Sequence, residues 1–200
     1  GSLNTAVGAN SLNANVGGVR NVAIGANTIR TGANVEHATA VGYGALENVS
    51  SGNGNTAVGY MSLNTNSTGN ANTAVGRESL RSNTDGAYNT AVGLSALASN
   101  TSGTDNTAVG LDSQRNNDYG IDNTSVGSGS LRNNVEGSDN TAVGREALRL
   151  NYGGNENTAF GSRALFANTG SNNTASGFRS LAANTFGSNN TDRKSTRLNS

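Results

Sequence analysis

The 17 residues Asn72-Thr-Ala-Val-Gly-Arg-Glu-Ser-Leu-Arg-Ser-Asn-Thr-Asp-Gly-Ala-Tyr88 run straight into a second Asn-Thr-Ala-Val-Gly, Asn89 to Gly93. The same opening, or a close variant, recurs at this interval along the whole chain. Its glycines are Gly8, Gly25, Gly42, Gly59, Gly76, Gly93, Gly110, Gly127, Gly144 and Gly161, then Gly177 after a one-residue deletion. A fixed period over eleven copies describes short units that rest on their neighbours, not a globule around one buried site. Function is therefore expected on an extended surface.

Composition narrows the classes. Formal net charge is +0, so nothing electrostatic points to nucleic acid or an anionic membrane as partner. There is no cysteine, which excludes disulfides and thiolate chemistry. No apolar run approaches the roughly 18 residues of a membrane span. The chain opens inside a repeat without a starting Met, and is expected to be part of something longer. Residues 192–200, Asp-Arg-Lys-Ser-Thr-Arg-Leu-Asn-Ser, break the period and resemble the translation of a common sequencing adapter. They are expected to be a non-native tail, leaving 1–191 as the repeat domain.

With the closing glycine as position zero, Thr stands at −3 and a β-branched residue at −1, as in Thr56/Val58 and Thr90/Val92, with Ala between them. This is period-two alternation in strand-favouring residues. Position +4 is Leu or Ile in most copies; Gln114 breaks that column, with Leu111 nearby as a possible substitute, and Ser125 interrupts the Ala column. Seventeen residues cannot hold two helices and their turns, and Asn, Gly and Thr dominate the remainder. The expectation is an all-β, parallel β-roll or β-solenoid of about eleven coils, each with two strands of about five residues. Coils about 4.8 Å apart would make a rod roughly 50 Å long.

Every column of such a stack repeats one residue type. The pattern predicts core columns of Val58, Val75, Val92, Val109, Val126 and Val143 with Leu63, Leu80 and Leu97. Asn columns at +7 (Asn66 to Asn184) and −4 (Asn55 to Asn157) are expected to be structural amide ladders. The Ala column (Ala57, Ala74, Ala91, Ala108, Ala142) would point the other way; it reads either as a flat outer face or as a chain–chain contact, possible in a trimer. Asp105, Asp122, Asp139 and Glu156 form an acidic column, read as solvated turn residues or a weak metal candidate. Arg115, Arg132 and Arg149 form a basic one, read as solvated or as a ligand stripe.

These residues resemble the head repeats of YadA-like trimeric autotransporter adhesins, whose Asn-Ser-Val-Ala-Ile-Gly signature is matched at its core by Asn21-Val-Ala-Ile-Gly25. The resemblance covers 1–191 and implies a left-handed parallel β-roll, association as a homotrimer, and a bacterial cell-surface or outer-membrane location with an extracellular protein or glycan ligand. The family repeat is nearer 14 residues, so a turn should be longer here, and Thr at −3 replaces a family Val. Similar arrays occur in phage tail fibres, which would place the segment in a virion tail.

No catalytic constellation is visible. His37 is the single histidine and has no nucleophile with it. Neither a Gly-x-Ser-x-Gly elbow, nor a phosphate loop, nor the calcium-binding Gly-Gly-x-Gly-x-Asp pattern is present. The expectation is a protein that is not an enzyme, with no cofactor, no nucleic-acid partner and no membrane contact by this segment. The leading reading is a rigid adhesin head, the second a tail-fibre shaft. A third is ice binding through Thr columns, weakened by the pairing of Thr with Val.

Overall fold

The computed structural model describes residues 1–193; the adapter-like tail from 194 onward lies outside the described residues. The described chain is a β-solenoid of 17-residue coils. Each coil contributes one three-residue strand, from Thr5–Val7 to Thr191–Arg193, and the twelve strands form one sheet in sequence order. All pairs are parallel, and like sits on like: Thr56, Ala57 and Val58 lie against Thr73, Ala74 and Val75. Thr191, Asp192 and Arg193 continue this register beside Thr174, Ala175 and Ser176, so the first two residues of the suspected tail still occupy strand positions.

The second strand expected in each coil is absent from the described residues. Positions +2 and +4 are left-handed, as in Glu78 (φ 58°) and Leu80 (φ 48°), which excludes a strand there. Each such residue costs about 1–2 kcal/mol against the right-handed alternative. Hydrogen bonds to the coils above and below offset that cost: Glu78 N–H donates to the Tyr60 carbonyl at 2.9 Å and Leu80 N–H to the Ala96 carbonyl at 3.0 Å. The zero-position glycines are required outright. Gly76 has φ 135°, and a Cβ there would lie 2.5 Å from the Gly93 carbonyl oxygen.

The interior corrects two expectations. The Ala column points inward: Ala57, Ala74, Ala91, Ala108 and Ala142 are fully buried within one chain, so they cannot form a chain–chain contact. The Val column points outward: Val75, Val92, Val109 and Val126 are 36–40% exposed, and Val58 and Val143 are half-buried. The reason is volume. The coil is narrow, and an in-pointing −2 residue faces the +4 side chain. Leu63, Leu80 and Leu97, buried as expected, leave room only for a methyl. Thr at −3 shares the parity of Val and also faces out.

Gln114 and Ser125 explain each other. Leu111 does not substitute for the missing leucine; it is exposed. Instead Ser125 Oγ donates to Gln114 Oε1 at 3.1 Å and stands 2.6 Å from Ser113 Oγ, all buried. This polar plug divides the apolar core into one cluster ending at Leu97 and Ala108 and another beginning at Leu131.

Candidate functional site

The buried Asn columns are structural. In the +7 column each amide donates to the preceding one, Asn100 Nδ2 to Asn83 Oδ1 at 2.7 Å and Asn117 Nδ2 to Asn100 Oδ1 at 2.8 Å. The same nitrogen also reaches the glycine carbonyl at +10, Asn100 to Gly103 at 3.0 Å. The −4 column converges on that carbonyl from the other side, Asn89 Nδ2 to Gly103 at 2.8 Å. A buried amide satisfied twice along the stack fixes register without offering anything to a ligand. Where the ladder stops it leaves a trace. Gly32 stands where coil two should have its asparagine, and Asn15 Oδ1 is buried without a donor.

Three outer surfaces remain. The first is the sheet face, a Thr column beside a Val column, with Val7, Ile24 and Phe160 the most exposed of the latter. Beside it at +1 stand Tyr43 and Tyr60, stacked with ring centroids 5.7 Å apart, and Arg77 lies 5.6 Å over Tyr60.

The second surface is the turn carrying Arg115, Arg132 and Arg149. These three do not form a bare stripe. Asp112 stands between Arg115 and Arg132, 3.6 Å from each, and Glu146 lies 2.9 Å from Arg149 and 2.6 Å from Arg163. The hydrogen bond from Arg163 holds the Glu146 carboxyl below the usual carboxylate range, with Arg149 and Arg145 acting in the same direction and partial burial opposing them. A cleft of about 140 Å³ opens among Asp112, Arg132, Arg145, Glu146 and Arg149. Arg149 and Arg163 also flank the Phe166 ring, at 5.8 and 5.7 Å. The intervening carboxylates fall at +2, a position where the sequence shows no constant residue type, and the pairing was not visible from the arginine column alone.

The third surface is the opposite turn, with Asp105, Asp122, Asp139 and Glu156. All four are exposed and left-handed, with φ 55–59°. No group of three or more His, Cys, Asp or Glu side chains among the described residues is placed to hold a metal ion. His37 Nε2 lies 3.1 Å from Arg20 Nη1, one coil away, and accepts from it. On the same acidic turn, at +8, Asp118 accepts from the Thr101 hydroxyl.

Comparison with family models, with curated proteins and with solved structures finds no match for the chain.

Proposed function

We propose that this segment is a rigid rod from the head of a bacterial surface adhesin, extracellular and homotrimeric, presenting its outer turns to a protein or glycan ligand. One observation carries the reading. In ten consecutive coils, from Val7 to Phe160, the −1 side chain is a β-branched or aromatic residue directed away from the coil interior. That strip is roughly 43 Å long at one coil per 4.8 Å. Soluble monomers rarely leave so continuous an apolar surface in water. Turning three sheet faces toward a common axis would cover it, with the outward Val and Thr columns as the contact in place of the buried Ala column. The likeness of the repeat to trimeric autotransporter heads supports the same arrangement.

Sedimentation equilibrium on the chain tests the assembly: a mass three times 20.1 kDa is expected, and a monomer at every concentration would end the proposal. Adhesion to immobilised matrix proteins and glycans tests the ligand role. Loss of binding on replacing Arg115, Arg132 and Arg149, with the sedimentation mass unchanged, would place the ligand on that turn. A tail-fibre shaft shares the assembly and differs in being carried on a virion instead of a cell surface. Ice binding regains some support because the Thr column faces out in register, and a thermal-hysteresis measurement decides it.

A further inference from the structure

Charge is separated across the coil. Between residues 77 and 179 all eight arginines stand at +1, +2 or +5, on the turn that follows the sheet, together with three carboxylates at +2, which leaves five positive charges in excess. The turn that precedes the sheet, positions +8 to +12, carries seven carboxylates over the same stretch and no base. Four of them form the uninterrupted column Asp105, Asp122, Asp139 and Glu156, one coil apart. The ion pairs all lie on the arginine turn; among the described residues none of the seven carboxylates opposite is paired. Like charges about 4.8 Å apart along an edge repel one another, and no cation among the described residues pairs with them.

We propose that the acidic edge of one chain docks on the arginine edge of a second copy, level with it, so that three chains close into a ring. This rests on the trimeric reading above and adds to it the contact and its direction. The exposed Val strip runs between the two edges, so any cyclic packing that turns sheet faces inward brings the preceding turn of one chain beside the following turn of the next. Such an interface is heterologous: the two surfaces that meet are different, and each chain offers both. An antiparallel pair with its sheet faces together would instead set acid against acid. In coils at equal height Asp139 stands opposite Arg145 of the neighbour, and Glu156 opposite its Arg163. Arg145 is exposed and forms no ion pair among the described residues, which leaves it free for such a contact. Opposite charges placed this way fix both partner and register.

The experiment uses the whole chain in three variants: Asp139→Lys with Glu156→Lys, Arg145→Glu with Arg163→Glu, and all four together. Lysine suits the left-handed acidic position, since Arg20 occupies its equivalent with φ 58°. Circular dichroism confirms folding, and sedimentation across a dilution series reads the mass. Each pair alone is expected to raise the concentration at which trimer gives way to monomer about tenfold or more, and the four together to restore it. A trimer that ignores both reversals, or that the fourfold variant fails to restore, overturns the edge contact while leaving the trimer standing. A monomeric parent chain overturns the trimer itself. Cysteines provide a second readout in a chain that has none. Asp139→Cys with Arg145→Cys in one chain should oxidise to covalent dimers and trimers. Within a chain the strand Thr141–Val143 lies between the two positions, and its three residues alone span about 10 Å, beyond the roughly 7 Å that a disulfide bridges. Cross-linking by Asp139→Cys alone would show acid edges meeting and refute the ring.

Discussion

Ser125→Ala should destabilise the rod, and the same change should cost nothing once Gln114 has become leucine. In the parent chain Gln114 Oε1 accepts from Ser125 Oγ at 3.1 Å in a fully buried setting. Removing that hydroxyl strands a buried carbonyl oxygen, a penalty of about 1–3 kcal/mol. Gln114→Leu acts differently. The partners it releases stay satisfied: Ser125 keeps Ser113, and Asn106 Oδ1 keeps both the backbone and side-chain nitrogens of Asn123 at 3.1 Å. A leucine there would rejoin the two halves of the apolar core, worth about 1.5–3 kcal/mol for full burial. On that background Ser125→Ala removes no partner that Gln114 needed. The double-mutant cycle should therefore show a coupling of about 1–3 kcal/mol. Guanidinium unfolding followed by circular dichroism measures it, with hydrogen exchange at the amides of residues 110–130 locating it. If Ser125→Ala costs the same in both backgrounds to within about 0.5 kcal/mol, the two side chains are not partners and the plug is misread.

Other outcomes follow from the same packing. Gly103→Ala sets a methyl 2.5 Å from Asn100 Oδ1 and from the Gly120 carbonyl, and should destabilise by about 1–3 kcal/mol through overpacking alone, seen as a lowered denaturation midpoint. Leu97→Ala should cost about 2–5 kcal/mol of stability, whereas Val92→Lys should leave the fold intact and prevent assembly, read by melting and by sedimentation respectively. Glu146 has a folded-state carboxyl held below its ordinary pKa of 4.5, so it contributes stability above that value. The contribution fades as pH falls through the lowered folded pKa. An NMR titration should find Glu146 ionised below pH 4.5, and Arg163→Ala should return it toward the ordinary range.

Much of this architecture could be read from the repeat. Seventeen-residue identity dictated like-over-like stacking, and stacking dictated parallel strands, the buried leucines and the paired asparagines. What escaped was which side of the strand lies inside. Thr-Ala-Val alternates equally well in either sense, and only the width of the coil interior, which no local pattern records, selects Ala. The left-handed leucines were also hidden, because propensity assigns that backbone to Gly and Asn. A trace existed nonetheless: Gly44 and Gly129 occupy +2, and Gly54 occupies −5, where other coils carry ordinary residues at positive φ. The Gln114–Ser125 partnership was legible as two exceptions in adjoining coils, and needed only to be read together. The arginine turn was half legible, since its column was evident and its neutralising carboxylates were not.

The single deletion in the chain shows where this scaffold accepts change. Between Asn168 and Gly170 one residue is missing, yet Asn168 Nδ2 still reaches the Gly170 carbonyl at 2.7 Å, as Asn151 reaches Gly154. Coil length is thus decoupled from coil alignment: the amide clasp sets the phase, and the residues spanning it are slack. Segments grafted between Asn and Gly of each coil that has the clasp would hang outward at intervals of about 4.8 Å, which turns the rod into a ruler on which unrelated loops can be mounted and spaced.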